Sequence, residues 1–387
     1  MIIKQLDDQY IANTYNRFPV TITKGKGSIV WDEQGKEYID LSGGIAVNTF
    51  GFADQDWLEA INNQLNQVQH TSNLYYTEPA TKLAELLCQR TGLKKVFFSN
   101  SGGEANECAI KVARKYAADK KGSDYFTIIT LVNSFHGRTI TTLAATGQAS
   151  FHQDFTPLTE GFVYAKANDF SEIEKLASQH KCAAIMLEVV QGEGGVNVLE
   201  QGYLKQVAEF CQKHDLLLII DEVQTGNGRT GELFGYMNFD LKPDIVSTAK
   251  GLGGGLPIGA TLLGEKVKST LTPGTHGSTF GGNPVCCAGA LSVIQRIDAE
   301  LLTEVKQKSE LIRSSLIGSS GIKDVSGLGL MLGIETERKN LEVIEECIEQ
   351  GVLVISAKDK VRLLPALNIS QATLIKAINV IKEICAV

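Results

Sequence analysis

Between Phe50 and Leu263 the chain alternates two hydrophobic periods. Apolar residues at Trp57, Ile61, Leu65 and Val68, and then at Leu83, Leu86 and Leu87, recur every three or four positions and predict helices. Short, mostly apolar runs also occur, at 96–98, 126–131, 183–187, 216–220, 245–246 and 260–263. Runs of that length predict strands. Strands separated by helices imply an α/β fold with a mainly parallel sheet. In such a sheet, ligands bind outside the carboxyl ends of the strands.

The flanks read differently. Residues 28–41 alternate apolar and polar around Glu33-Gln-Gly35, which predicts a β-hairpin. After about Asn283 the chain becomes helix-rich, and strands are expected near 330–334, 353–355 and 361–364. A last amphipathic helix is expected from Gln371. A lone hairpin is marginal in water, so the N-terminal one is expected to pack on the C-terminal unit. The 387 residues exceed one comfortable core. The expected division is a large domain over 47–280 and a small α+β domain formed by 1–46 and 281–387.

Composition removes several function classes. A net charge of -7 argues against nucleic acid as a partner. No apolar run approaches the ~18 residues of a membrane span. The N-terminus Met1-Ile-Ile-Lys-Gln-Leu-Asp-Asp lacks the shape of a signal peptide. The eight cysteines include no C-x-x-C pair and read as reduced residues of a cytoplasmic protein. The six histidines include no H-x-x-x-H, so no metal site is expected.

Candidate chemistry gathers at the strand ends. Lys250 closes one apolar run and opens the tract Gly251-Leu-Gly-Gly-Gly-Leu-Pro-Ile-Gly259, where backbone replaces side chains and a ligand can come close. The preceding strand ends in Asp221-Glu-Val-Gln224. A primary amine and a carboxylate on neighbouring strand ends are the pair that holds pyridoxal phosphate. The amine condenses with the aldehyde and the acid pairs with the ring nitrogen. Taken singly, Lys250 reads as a solvated strand end and Asp221 as a turn residue. Glu222 reads as structural.

Ser99-Asn-Ser-Gly-Gly-Glu-Ala-Asn106 follows a strand and opens a helix, so Ser101, Gly102 and Gly103 can offer backbone N–H groups to a phosphate. Ser101 with Glu104 also reads as a capping box, and the two readings are compatible. Phe135 suits stacking on a planar ring or core packing. His136 suits stacking or packing. Arg138 suits a bidentate grip on a carboxylate or an exposed ion pair. Glu193, on the turn Gly192-Glu-Gly-Gly195, and Arg362, at a strand of the second domain, suit an acid–arginine pair across the cleft. The loop His276-Gly-Ser-Thr279 offers hydroxyls to a phosphate.

These segments, with Asn13-Thr-Tyr-Asn-Arg-Phe-Pro19, Ser42-Gly-Gly-Ile-Ala-Val-Asn48 and His70-Thr-Ser-Asn-Leu-Tyr-Tyr-Thr-Glu-Pro79, resemble in order and spacing the class III, fold-type I aminotransferases. Within that family they resemble the acetylornithine aminotransferase group, over nearly the whole chain. The resemblance implies pyridoxal 5'-phosphate and a homodimer with its active site at the interface. Lys250 would be the Schiff-base lysine and Asp221 the partner of the ring nitrogen. Gln224 would hold the ring oxygen, Phe135 would cover the ring, and Ser101, Gly102 and Gly103 would hold the phosphate. Ser278 and Thr279 would enter from the other subunit, Thr279 to the phosphate. Arg138 and Tyr15 would bind substrate, Arg138 through the α-carboxylate. Glu193 would pair with Arg362 for the amino donor and release it for glutamate or 2-oxoglutarate.

The implied reaction takes N2-acetyl-L-ornithine and 2-oxoglutarate to N-acetyl-L-glutamate 5-semialdehyde and L-glutamate, a step of arginine biosynthesis. Succinylornithine, free ornithine and γ-aminobutyrate stay open as donors. Three positions depart from the family pattern: Val189 for proline, Gly103 for threonine or alanine, and Asn227 for an apolar residue. A rival comes from Gly226-Asn-Gly-Arg-Thr-Gly231, which matches the G-x-G-x-x-G of dinucleotide-binding oxidoreductases. That motif should open a helix at once, and here Gly235 and Pro243 interrupt the residues after it. A non-catalytic cofactor-binding protein is a third reading.

Overall fold

The computed structural model describes residues 2–386. Its centre is a seven-stranded sheet. In spatial order the strands are Lys95–Ser99, Gly259–Leu263, Ile245–Thr248, Leu217–Asp221, Cys182–Leu187, Thr127–Leu131 and Phe162–Ala165. Gly259–Leu263 runs antiparallel to both neighbours, and the remaining pairings are parallel. Each interior strand is buried along its whole length. Helices on both faces exclude water there, which is why these strands read as mostly apolar runs. The edge strands Lys95–Ser99 and Phe162–Ala165 are only partly covered.

The expected strands are found to within a residue or two. Phe162–Ala165, unpredicted, completes one edge. Helix Gly102–Lys121 crosses the sheet with Ala105, Cys108, Ala109, Val112 and Ala113 buried against it. Small residues on that face bring the helix close to the strands. Helix Gln55–Leu65 stops short of the expected Val68, whose carbonyl accepts a bond from the Gln64 side chain.

The flanking segments build two further four-stranded sheets. The expected hairpin is Ile29–Asp32 with Glu37–Asp40, joined on one edge by Ile22–Lys26. Its other edge pairs in parallel with Val352–Leu353, so the hairpin does pack on the C-terminal unit. The run expected as one strand at 353–355 serves two sheets. Val352–Leu353 joins the hairpin, and Ile355–Ala357 pairs with Lys360–Leu363. Val354 between them is buried. A short apolar run has the same pattern whichever sheet receives it, so the break left no mark in the sequence.

Strand Ile322–Leu328 was not expected. Its sequence Ile-Lys-Asp-Val-Ser-Gly-Leu carries a bulge and a half-exposed face that blur the alternation. The last helix runs over Gln371–Cys385, capped by Ser370, whose hydroxyl accepts from the Thr373 N–H. Among the described residues no helix is long and apolar enough to cross a membrane.

Gly226 to Gly231 forms turns and opens no helix. Its Arg229 is buried and donates to the Leu330 and Pro365 carbonyls, tying the large sheet's loops to the C-terminal unit. The glycines there allow that tight path, and no dinucleotide-binding helix comes after them.

Candidate active site

The carboxyl ends of the parallel strands open into one cavity of about 800 Å³. Tyr15, Ser101, Gly102, Gly103, Phe135, Arg138, Glu193, Asp221, Gln224 and Lys250 all line it. Arg362 stands just behind, bonded to Glu193 and Gln224. Ser278 and Thr279 do not line it. They border a neighbouring cavity of about 590 Å³, which shares Asn100 with the first. The Asn100 amide donates to Ser278 Oγ at 3.2 Å.

Lys250 follows strand Ile245–Thr248 with φ +46, a left-handed conformation that a side chain disfavours. Strain of this kind persists only where its surroundings over-determine it. The Lys250 amine has no hydrogen-bond or ion-pair partner among the described residues. Burial pulls its ammonium down to about 8; Arg362 adds to this, and Glu193, Asp221 and Glu188 oppose it. An amine with that value is a usable nucleophile and base near neutral pH.

Asp221 is held on every side. Its Oδ2 accepts from Asn106 Nδ2 at 2.7 Å and faces His136 Nδ1 at 2.8 Å. Its Oδ1 accepts the Val223 N–H at 3.0 Å. Asn106 is itself oriented, because its Oδ1 accepts from Ser247 Oγ at 2.5 Å and its Nδ2 also reaches the His136 carbonyl. The result is a fixed buried carboxylate at a strand end, and it settles His136 as a partner of Asp221. Glu222, next in sequence, points away and accepts from Thr225 Oγ1 and the Gly235 and Tyr236 N–H groups, a structural role.

Helix Gly102–Lys121 begins at the cavity. Ser101 caps it by accepting the Glu104 N–H at 3.2 Å. The Glu104 carboxylate reaches back to Asn100 N–H, one residue before the Ser101 N–H of an ideal capping box. The Gly102 and Gly103 amides donate to nothing among the described residues. They face a cavity at the positive end of a helix dipole, a ready anion site. A Cβ on Gly102 would stand 2.5 Å from Val223 Cγ1, so the close approach requires glycine there. A Cβ on Gly103 would meet only ordinary contacts, the nearest at 3.7 Å, so the family's larger residues would fit.

Arg138 is exposed, and its guanidinium lies 4.0 Å above the Phe151 ring, with Phe135 at 5.5 Å. The rings hold the fork in place while leaving its donors free. Across the cavity, Arg362 grips Glu193 with two bonds, at 2.7 and 3.2 Å, and donates to Gln224 Oε1 at 3.0 Å. Burial acts to raise the Glu193 carboxyl, and Arg362, Lys250 and Gln224 together outweigh it, so the net shift is downward. A Cβ on Gly192 would fall 2.4 Å from Gln224 Oε1, so this turn can seat the amide only with glycine.

Sequence reasoning missed Asn106, Ser247 and Glu188. Glu188 lines the cavity and accepts the Phe135 N–H at 3.0 Å. Burial, with Asp221 beside it, pushes its carboxyl well above the usual range. The available signal was position, since Glu188 directly follows strand Cys182–Leu187 just as Asp221 ends its own strand.

The chain is similar to known proteins over nearly its whole length. The family model described as Aminotransferase class-III matches residues 10–385. An acetylornithine aminotransferase from Haemophilus ducreyi is 55% identical over 384 residues, 99% of this chain and 98% of the relative. A succinylornithine transaminase from Salmonella paratyphi B is 45% identical over 373 residues, covering 94% of this chain and 91% of its own length. The solved ornithine aminotransferase of Toxoplasma gondii, with pyridoxal phosphate at partial occupancy in its active site, superposes with a TM-score of 0.94 at 32% identity, covering 99% of this chain and 94% of that one.

Proposed function

The chain belongs to the class-III aminotransferases, and on that premise we propose that it carries an amino group from N2-acetyl-L-ornithine to 2-oxoglutarate, with pyridoxal phosphate held at Lys250. The observation that carries this reading is the unpartnered Lys250 amine, in a left-handed turn, sharing one cavity with the fixed Asp221 carboxylate. The residues present fit the cofactor. The free amides of Gly102 and Gly103 at a helix N-terminus suit its phosphate, with Ser101 beside them. Asp221 would hold the ring nitrogen, Gln224 the ring oxygen and Phe135 one face. When bound, the cofactor supplies an electron sink for the carbon that loses its proton.

This chain's residues then do the positioning and the proton handling. Lys250 Nζ, unprotonated to a useful degree near neutral pH, takes the proton from the amine-bearing carbon and carries it away from that carbon. Arg138 holds the donor's α-carboxylate with its planar fork, which favours an ornithine-type donor over γ-aminobutyrate. The reacting carbon of acetylornithine carries no carboxylate, whereas that of glutamate does. With the first, Glu193 neutralises Arg362; with the second, Glu193 yields and Arg362 takes the carboxylate. Tyr15, exposed at the cavity mouth, adds an aromatic wall.

Ser278 and Thr279 border a surface cavity in their own chain, which supports their reaching a partner's cofactor in a homodimer. Leu74, Tyr75, Tyr76 and Phe280 are exposed, and an interface would cover them. The division into a large domain at 47–280 and a small domain from the two flanks suits the seven-stranded sheet and the two four-stranded ones. The eight free cysteines suit the cytoplasm.

Single half-reactions test the substrates. The visible absorbance of the loaded protein should bleach with acetylornithine and with glutamate, and far less with ornithine; ornithine bleaching faster than acetylornithine would reverse the donor assignment. In Arg362→Leu the acetylornithine half should survive. The glutamate half should fall about 10²–10⁴-fold, because two charge-assisted bonds at about 1.5–3 kcal/mol each are lost. Equal losses in both halves would contradict the switch.

A further inference from the structure

Nothing about a lysine favours φ +46, so the backbone at Lys250 must be held from outside. The carbonyls on either side of it each accept a buried side-chain donor. Asn227 Nδ2 donates to the Ala249 carbonyl at 3.1 Å and to Thr248 Oγ1 at 3.0 Å. Thr49 Oγ1 donates to the Gly251 carbonyl at 2.7 Å. Asn227 is buried, in a left-handed conformation itself at φ +58, and its Oδ1 is buried without a partner among the described residues. Its side chain is therefore fixed by its donors alone. Flipping the amide would set an acceptor against the Ala249 carbonyl.

Thr49 is anchored just as firmly. It is buried, and its own carbonyl accepts the Leu367 N–H at 2.8 Å. It follows a turn over Gly43–Ala46 in which all four residues are left-handed, with φ between +55 and +63. Ala46 brings its carbonyl against Gly251, where a Cβ would stand 3.3 Å from it and 2.9 Å from Thr49 Oγ1. Neither Asn227 nor Thr49 lines the cavity.

We infer that Asn227 and Thr49 are positioning residues that clamp the two carbonyls flanking Lys250 and so fix the backbone conformation that turns its amine into the cavity. The inference rests on Lys250 being the cofactor-binding lysine. It gives Asn227, a departure from the family pattern, a specific role. A polar donor from a loop 23 residues upstream reinforces a turn that Thr49 holds from the other side.

The test is the rate at which cofactor-free protein takes pyridoxal phosphate onto Lys250, read by borohydride reduction and mass spectrometry of the peptide. Thermal melts check that each variant is folded. Thr49→Val removes one buried hydrogen bond at nearly constant shape and should slow Lys250 labelling about fivefold to tenfold; Asn227→Asp removes the Nδ2 that makes two and should slow it at least as much. Thr49→Ser restores the hydroxyl and should label within about twofold of the wild-type rate. Wild-type labelling rates in both Thr49→Val and Asn227→Asp would overturn the clamp while leaving the function intact. A wild-type chain that takes no label at Lys250 would overturn the functional reading, and the clamp with it.

Discussion

Lys250→Ala is expected to lower turnover by more than about 10⁴-fold and to leave the fold intact. A positioned general base alone contributes about 10²–10⁴-fold. Lys250 is also the proposed covalent anchor, so its loss removes a second effect. The structure explains why stability should not suffer. The amine has no partner among the described residues, and burial already disfavours its charged form. Alanine removes that penalty while meeting much the same backbone strain at φ +46. The cofactor-free variant should therefore melt within about 2–4 °C of the wild type, the shift that ~1 kcal/mol gives in a domain of 150–250 residues. Steady-state turnover together with a thermal melt checks both parts. An inactive variant that has also unfolded would not be the expected result, and a folded variant with near-normal turnover would remove Lys250 from the chemistry.

Asp221→Asn should differ in kind, because both function and stability fall. Three donors converge on the carboxylate: Asn106 Nδ2, His136 Nδ1 and the Val223 N–H. An amide has one acceptor oxygen. If that oxygen keeps Asn106 and His136, its NH2 confronts the Val223 N–H and presents a donor where the ring nitrogen needs an acceptor. A buried unsatisfied group costs about 1–3 kcal/mol. The proposed charge-assisted hydrogen bond to the ring, at about 1.5–3 kcal/mol, would be lost as well, which alone is about 10–100-fold in rate. The weaker pull on ring electrons adds to that, so turnover should drop at least about 100-fold. Denaturant titration and turnover measured on the same preparation test the pair of effects. A variant of wild-type stability with a loss below tenfold would show that the Asp221 network does not govern the ring.

Much of this site could be read in the chain because strand ends announce themselves. The buried strands Leu217–Asp221 and Ile245–Thr248 end at Asp221 and two residues before Lys250, and the parallel topology brings those ends together. The proposed phosphate cradle was placed for a similar reason, since Gly102 and Gly103 follow a strand and open a helix. Glu193 and Arg362 illustrate the limit. They lie 169 residues apart, and only the folded chain sets them 2.7 Å from one another. Asn106 and Ser247 carried no sequence signal, because a buried amide in the middle of a helix looks like any other polar residue until its partner arrives from another strand. The left-handed turn at Lys250 was equally hidden, since lysine has no preference for it and the donors that hold it come from Thr49 and Asn227. The two-sheet use of 352–357 was lost because pairing partners, not local pattern, decide which sheet a short apolar run joins.

The most direct measurement is to reduce the cofactor-loaded protein with borohydride, digest it, and sequence the peptide that keeps the pyridoxyl group. The account predicts a single modified position, the lysine between Ala249 and Gly251. A label at any other lysine, or none at all, would contradict it.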